Sequence, residues 1–146
     1  MSNISIRSSR WIGAAAIAAL TLAAGCSSEP EEMEPEVETM RVTIGTTVIN
    51  FSGGTCTPVP ASATIPAGGA AVSATFLKAD GSPETIVTDQ EFELKVEPAG
   101  RFTRASAFAG TLSGGAAGTT AVTFALFHKI EQHEDFGPCS LPITVQ

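Results

Sequence analysis

The stretch Glu91-Phe92-Glu93-Leu94-Lys95-Val96-Glu97 decides how the rest of the chain is read. Every even position is apolar and every odd one charged. Successive side chains of a β-strand point to opposite faces, so this period of two places Phe92, Leu94 and Val96 on a dry face and the charges in water. The same period returns in Val122, Phe124 and Leu126, and again in Leu141, Ile143 and Val145. Arg41–Ile44 and Thr47–Phe51 flank Gly45-Thr46, the mark of a hairpin with a tight turn. Val72–Ala79 reads as a further strand, ended by the turn residues Asp80-Gly81-Ser82-Pro83. Phe102–Phe108 and Gly110–Leu112 read as shorter strands.

Clusters of Gly, Pro and Ser recur between these runs, at Ser52–Gly54, Pro66–Gly69, Pro98–Gly100 and Ser113–Gly118. No stretch after residue 40 has helical periodicity. About seven short strands over residues 40–146 predict an all-β fold, an immunoglobulin-like β-sandwich. Phe76, Phe92 and Phe124 belong to its core by phase. Phe127 falls on the outward face, as a contact to a second sheet or an exposed binding anchor, and Phe51 and Phe136 have no clear phase.

The N-terminus carries a different pattern. Met1–Trp11 holds Arg7 and Arg10, Ile12–Ala24 is an apolar and small-residue run, and Ala23-Ala24-Gly25-Cys26 follows. A positive start, a short apolar run and a small-residue cleavage site make a secretory signal over residues 1–25. The run is well short of the ~20 residues that a membrane-spanning helix needs. The segment resembles the signals of bacterial lipoproteins, with Ala23 where those signals usually have Leu. That resemblance implies that Cys26 becomes the lipidated mature N-terminus. It also implies a bacterial cell-envelope location, with the outer membrane favoured because Ser27 follows the cysteine, and the folded domain in the periplasm or at the cell surface.

Removing residues 1–25 takes the net charge from −7 to −9, because that segment holds two arginines and no acid. So acidic a chain has no cationic surface for nucleic acid and no polybasic patch for anionic lipid heads. Cys26 opens a stretch, residues 26–39, in which Ser27–Thr39 packs six glutamates and two prolines. Like charges and proline favour extended backbone, so residues 26–39 are expected to form a disordered acidic tether that holds the domain off a bilayer. An acidic cation-binding tail is the alternative.

Three turn regions carry a second resemblance: Ala79-Asp80-Gly81-Ser82-Pro83, Gly110-Thr111-Leu112-Ser113-Gly114, and Ala117-Gly118-Thr119-Thr120-Ala121-Val122. They resemble the bacterial immunoglobulin-like (Big-type) domains of surface proteins, across roughly residues 40–146. The Trp common mid-chain in such domains is missing. The resemblance implies an adhesive, spacing or binding module rather than an enzyme, with another envelope protein as its partner.

Apart from Cys26, the cysteines are Cys56 and Cys139. Cys139 shares the inward phase of Leu141, Ile143 and Val145, and Cys56 follows an early strand. Parity and an exported compartment favour a disulfide between them. Two buried thiols, or a thiol metal ligand, are the alternatives.

One segment gathers chemistry. His128-Lys129-Ile130-Glu131-Gln132-His133-Glu134-Asp135 contains both histidines of the chain. Imidazole and carboxylate are the usual ligands of Zn²⁺ and related divalent ions. On a continuing strand Glu131, His133 and Asp135 share a face, with successive Cα atoms ~6.5–7 Å apart, wide for a single ion. A turn at Phe136-Gly137-Pro138 is therefore expected to gather His128, Glu131, His133 and Asp135 into a site. The competing readings are a rim histidine capping the core at His128 and a solvated hairpin loop at Glu131–Asp135.

Enzyme motifs are missing. No Gly-x-Ser-x-Gly elbow or phosphate-binding Gly-x-x-x-x-Gly-Lys loop occurs, and a Cys56–His128 pair would be silenced by oxidation. Beyond residue 25 there is no Trp or Tyr on which to stack a sugar. The expected function is a non-catalytic envelope lipoprotein that acts as a structural or protein-binding module. The alternative is a divalent-metal-binding lipoprotein that uses the His128–Asp135 segment.

Overall fold

The computed structural model describes residues 34–146. The expected signal peptide, Cys26 and residues 26–33 of the expected tether lie outside the described residues. Ten strands form: β1 (Thr39–Ile44), β2 (Thr47–Ser52), β3 (Thr57–Val59), β4 (Ala63–Ile65), β5 (Ala70–Leu77), β6 (Phe92–Glu97), β7 (Phe102–Ser106), β8 (Ala109–Leu112), β9 (Gly118–His128) and β10 (His133–Val145). Two short 3-10 turns, Gly53–Thr55 and Ala99–Arg101, complete the regular structure. Among the described residues no helix is long and apolar enough to cross a membrane.

The strands build two sheets, ordered β3-β2-β1-β5-β8-β7 and β4-β10-β9-β6. All neighbours are antiparallel except β4 and β10, which run parallel. Within the first sheet, β1-β5-β8-β7 has the A-B-E-D order of an immunoglobulin sandwich; within the second, β10-β9-β6 has the order G-F-C. The all-β sandwich is therefore the fold, with an immunoglobulin-like strand order.

The expected count of about seven strands is corrected to ten. The eight runs read as strands are all present, as β1, β2 and β5 to β10. The two strands that sequence reading missed are β3 and β4, each three residues long and set among prolines and small residues, too short to carry a period. Leu141–Val145 is only the end of β10, which reaches back to His133 and pairs with β9 along its length.

The two inner faces interdigitate into one core. Met40, Val42, Ile44, Ile49, Phe51 and Leu112 of the first sheet are fully buried, as are Phe92, Leu94, Val122, Phe124, Leu126, Leu141 and Ile143 of the second. The rings of Phe51 and Phe124 meet across the sheets at 6.0 Å. Phe51 and Phe136, without a clear phase in the sequence, are both core residues. Phe127 is on the outer face as expected, but it is neither a sheet contact nor an open anchor: the Lys95 ammonium stands 5.3 Å from its ring centre.

Cys56 and Cys139 are joined by a disulfide, with Cα atoms 5.0 Å apart. It ties the turn after β2 to β10 and so links the two sheets. This closes the alternatives of free thiols and a thiol ligand.

The tether expected to run to residue 39 ends earlier. Thr39 already belongs to β1, and Val37 packs against the core. The Glu38 N–H donates to Leu77 O at 2.9 Å, and the Glu36 N–H donates to Glu84 Oε2 at 3.1 Å. The polar stretch therefore lays its last residues on the sandwich through backbone hydrogen bonds, which the charge pattern of its side chains does not reveal.

Candidate metal site

The long hairpin β9–β10 carries the site. Its turn, residues 129–132, closes with Gln132 at φ 59° and its N–H donating to His128 O at 2.9 Å. His133 opens β10 directly opposite His128. Opposed residues of an antiparallel pair share a face, so both imidazoles lie on the inner face, one step beyond Leu126. The apolar interior ends here, at Phe92, and the inner face turns polar.

His128 is fixed from below. It pairs in register with Phe92 of β6, and the two rings stack with centres 4.5 Å apart and planes 19° off parallel. The Lys129 N–H donates to Glu91 O at 2.7 Å, which ties the start of the turn to the entry of β6. His128 thus stacks on the edge of the core, as a rim histidine would, and its Nδ1 still reaches the polar cluster.

All four predicted residues come together. Glu131 Oε2 stands 3.4 Å from His128 Nδ1 and 3.2 Å from His133 Nδ1. Asp135 Oδ1 is 2.6 Å from His133 Nε2, and Asp135 Oδ2 is 3.9 Å from His128 Nδ1. The mechanism of gathering differs from the expected one. The groups are collected by the tight 129–132 turn, not by a turn at Phe136-Gly137-Pro138. That tripeptide is a bulge inside β10, where the register to β9 shifts between Glu134 and Cys139. Gly137 sits there at φ 98°, and a Cβ on it would come within 2.8 Å of Phe124 O. Of Glu131–Asp135, Glu131 and Gln132 are exposed turn residues, as in a hairpin loop, while His133, Glu134 and Asp135 already belong to β10.

The four side chains divide by role. His128 Nδ1, Glu131 Oε2 and His133 Nδ1 point at one another, and a donor atom from each lies within 4.8 Å of the others. Asp135 Oδ1 sits on the other side of the His133 ring. An ionised carboxylate only accepts, so His133 Nε2 carries the hydrogen and donates it, which leaves Nδ1 as the atom that can ligate. The hydrogen bond to Asp135 holds the His133 imidazole above its usual range, and the charges of Asp135, Glu131 and Glu34 push the same way. A proton and a metal ion therefore compete for the same nitrogen.

Two features escaped sequence reasoning. Glu34 and Pro35 line a cavity of about 180 Å³ together with Phe92, His128, Glu131 and Asp135. The Asp135 side chain is 9 % exposed, and its buried Oδ2 has no hydrogen-bond partner among the described residues. Nothing in the sequence signals that Glu34 borders the same cavity as a hairpin almost a hundred residues away. Glu134, between His133 and Asp135, turns to the outer face and receives a hydrogen bond from Lys95 Nζ at 2.7 Å.

No protein-family model matches the chain, and no significant match to a curated protein is found.

Proposed function

We propose that the chain is a non-catalytic cell-envelope lipoprotein whose sandwich domain binds a divalent d-block cation, zinc being the type case. Donor atoms ~2.0–2.2 Å from a tetrahedral ion stand roughly 3.3–3.6 Å from one another. The separations of 3.4 Å and 3.2 Å about Glu131 Oε2 lie close to that edge length. This match carries the metal reading. Asp135 behind His133 supports it, as the carboxylate that sets the tautomer of a ligating imidazole.

The test is the melting curve of the chain with added Zn²⁺. A metal that binds only the folded state stabilises it by ~2.7 kcal/mol when the free ion is ~100-fold above its Kd. In a domain of this size that raises Tm by roughly 10 °C. His133→Ala removes most of the rise without a packing cost, because His133 is 44 % exposed. If Zn²⁺, Cu²⁺ and Ni²⁺ leave the wild-type curve unmoved up to millimolar levels, the cluster is a set of surface ion pairs. The domain is then a structural or protein-binding module.

The envelope part of the reading rests on Arg7, Arg10, the apolar run Ile12–Ala24 and Ala23-Ala24-Gly25-Cys26. Acyl chains on Cys26 anchor the protein, since each buried CH₂ contributes ~0.8 kcal/mol. Cys26→Ser abolishes lipid labelling and leaves the protein soluble or retained as precursor. Partition of that variant into detergent like the wild type overturns the lipid anchor.

A further inference from the structure

We propose that Glu34 closes the metal site, so that the bound cation latches residues 34–38 onto the sandwich. The proposal rests on the metal reading above and adds to it a fourth ligand and a consequence for the chain that leads into the domain.

Three observations lead to it. First, Glu34 and His128, Glu131 and Asp135 line one cavity, so the incoming segment and two of the three hairpin donors border the same space, and the Glu34 charge is felt at the third, His133. Second, the position of Glu34 is set by the domain. Two residues on, the Glu36 N–H is held by Glu84 Oε2 at 3.1 Å, and beyond it the Glu38 N–H is held by Leu77 O at 2.9 Å. Two residues span at most ~7 Å, so Glu34 cannot stray far from the cavity mouth while those bonds hold. Third, Asp135 Oδ2 is buried beside this cavity and has no hydrogen-bond partner among the described residues. A buried carboxylate oxygen without a donor is costly, and the positive charge of a cation in the neighbouring cavity would lower that cost.

Coordination chemistry completes the argument. His128, Glu131 and His133 supply three donors, the number of protein ligands that leaves one tetrahedral position open. Glu34 approaches from the cavity side and fills it. Without a cation, Glu34, Glu91, Glu131 and Asp135 bring four acidic groups to one cavity that no Lys or Arg lines among the described residues, and the His133 imidazole offsets only part of their mutual repulsion. With a cation, the repulsion becomes attraction. Metal affinity and docking of the segment are then linked, and each strengthens the other by the same factor.

The full chain and Zn²⁺ alone suffice for the test. Calorimetry compares the wild type with Glu34→Gln and with Glu36→Gln, which removes the same charge from an exposed side chain two residues away. Hydrogen exchange at the Glu36 and Glu38 amides is followed with and without zinc. The latch predicts that Glu34→Gln weakens zinc binding by at least about 10–100-fold, the range seen when a hydrogen-bond partner behind a ligand is lost. It predicts little change for Glu36→Gln, and slower exchange at both amides on adding zinc to the wild type but not to Glu34→Gln. If the wild type binds zinc and the two variants bind it equally well, or equally less well, the latch is wrong while the hairpin site stands. If zinc binds the wild type but leaves amide exchange unchanged, the latch is likewise wrong. If the wild type binds no zinc, the metal reading fails and the latch with it.

Discussion

Glu84 is the one buried charged residue among those described, and its place shows what a single side chain does for this domain. Its Oε1 accepts the Ile86 N–H at 3.0 Å, its Oε2 accepts the Glu36 N–H at 3.1 Å, and Lys78 Nζ stands 3.7 Å from Oε1. The carboxylate thus ties its own loop and the incoming segment to the end of β5. The bond from Ile86 is the main reason its pKa lies below the usual value of 4.5; Lys78 and the Glu36 N–H push the same way, and burial opposes them. A carboxyl whose pKa is depressed by folding contributes stability that is complete above its unfolded value, near 4.5, and fades as pH falls through the folded one. The wild type therefore loses stability on acidification below that value, and Glu84→Gln loses less of it. At neutral pH the same substitution costs about 1–3 kcal/mol, because an amide can accept at only one of its two ends and one backbone N–H is left without its acceptor. Urea unfolding of both proteins at pH 7 and at an acidic pH measures both effects; parallel losses on acidification would assign the acid response to other carboxylates. No period in the sequence marks Glu84, since it follows a turn and its partners are backbone groups from distant segments.

At the scale of the element, β6 shows what alternation fixes. Leu94 is fully buried, while the side chain of Glu93 is 29 % exposed and pairs with Arg104 at 3.2 Å. Leu94→Asp places an unpaired carboxylate in the core at a cost of several kcal/mol, a large share of the roughly 5–15 kcal/mol that holds a domain together. Glu93→Lys gives up a surface ion pair worth ~0–1 kcal/mol. The first variant is expected to unfold and the second to melt within a few degrees of wild type; equal midpoints would contradict the strand phase. The same physics explains what was legible and what was not. Period-two strands need several residues to declare themselves, so β1, β5, β6 and β9 are readable and the three-residue β3 and β4 are not. The metal candidates were legible as composition, because both histidines and their carboxylates fall in one segment. The geometry was not, because Phe136-Gly137-Pro138 has the composition of a turn yet forms a bulge that keeps β10 on β9. Gly and Pro mark a break in regular pairing without saying whether the chain reverses or continues. The contribution of Glu34 was out of reach for a further reason: the charge run that suggests a free tether describes side chains, whereas its last residues are held through their backbone.

At the largest scale, the described residues form two sheets around one core, with the Cys56–Cys139 disulfide as a covalent tie between them. Cys56 follows the 3-10 turn after β2, and Cys139 lies on β10 with its side chain fully buried. The bond spans 83 residues of sequence. In the chain-entropy model a loop of that length removes about 4–5 kcal/mol of freedom from the unfolded state. The folded state, by contrast, rests on buried side chains from eight strands, each fully buried large one contributing about 1.5–3 kcal/mol against its ordering cost. The two terms predict different responses. Reduction, or the Cys56→Ser, Cys139→Ser double variant, lowers Tm by roughly 10–20 °C. It leaves the far-ultraviolet β signature intact at room temperature, because strand order and core packing do not depend on the bond. Mass spectrometry of the non-reduced chain finds it two hydrogens lighter than the dithiol form. A reduced protein that melts with the oxidised one would mean that the unfolded chain is already compact around this loop. A reduced protein unfolded at 25 °C would mean that the core alone does not hold the two sheets together, and the disulfide would then be a condition of folding rather than an addition to it.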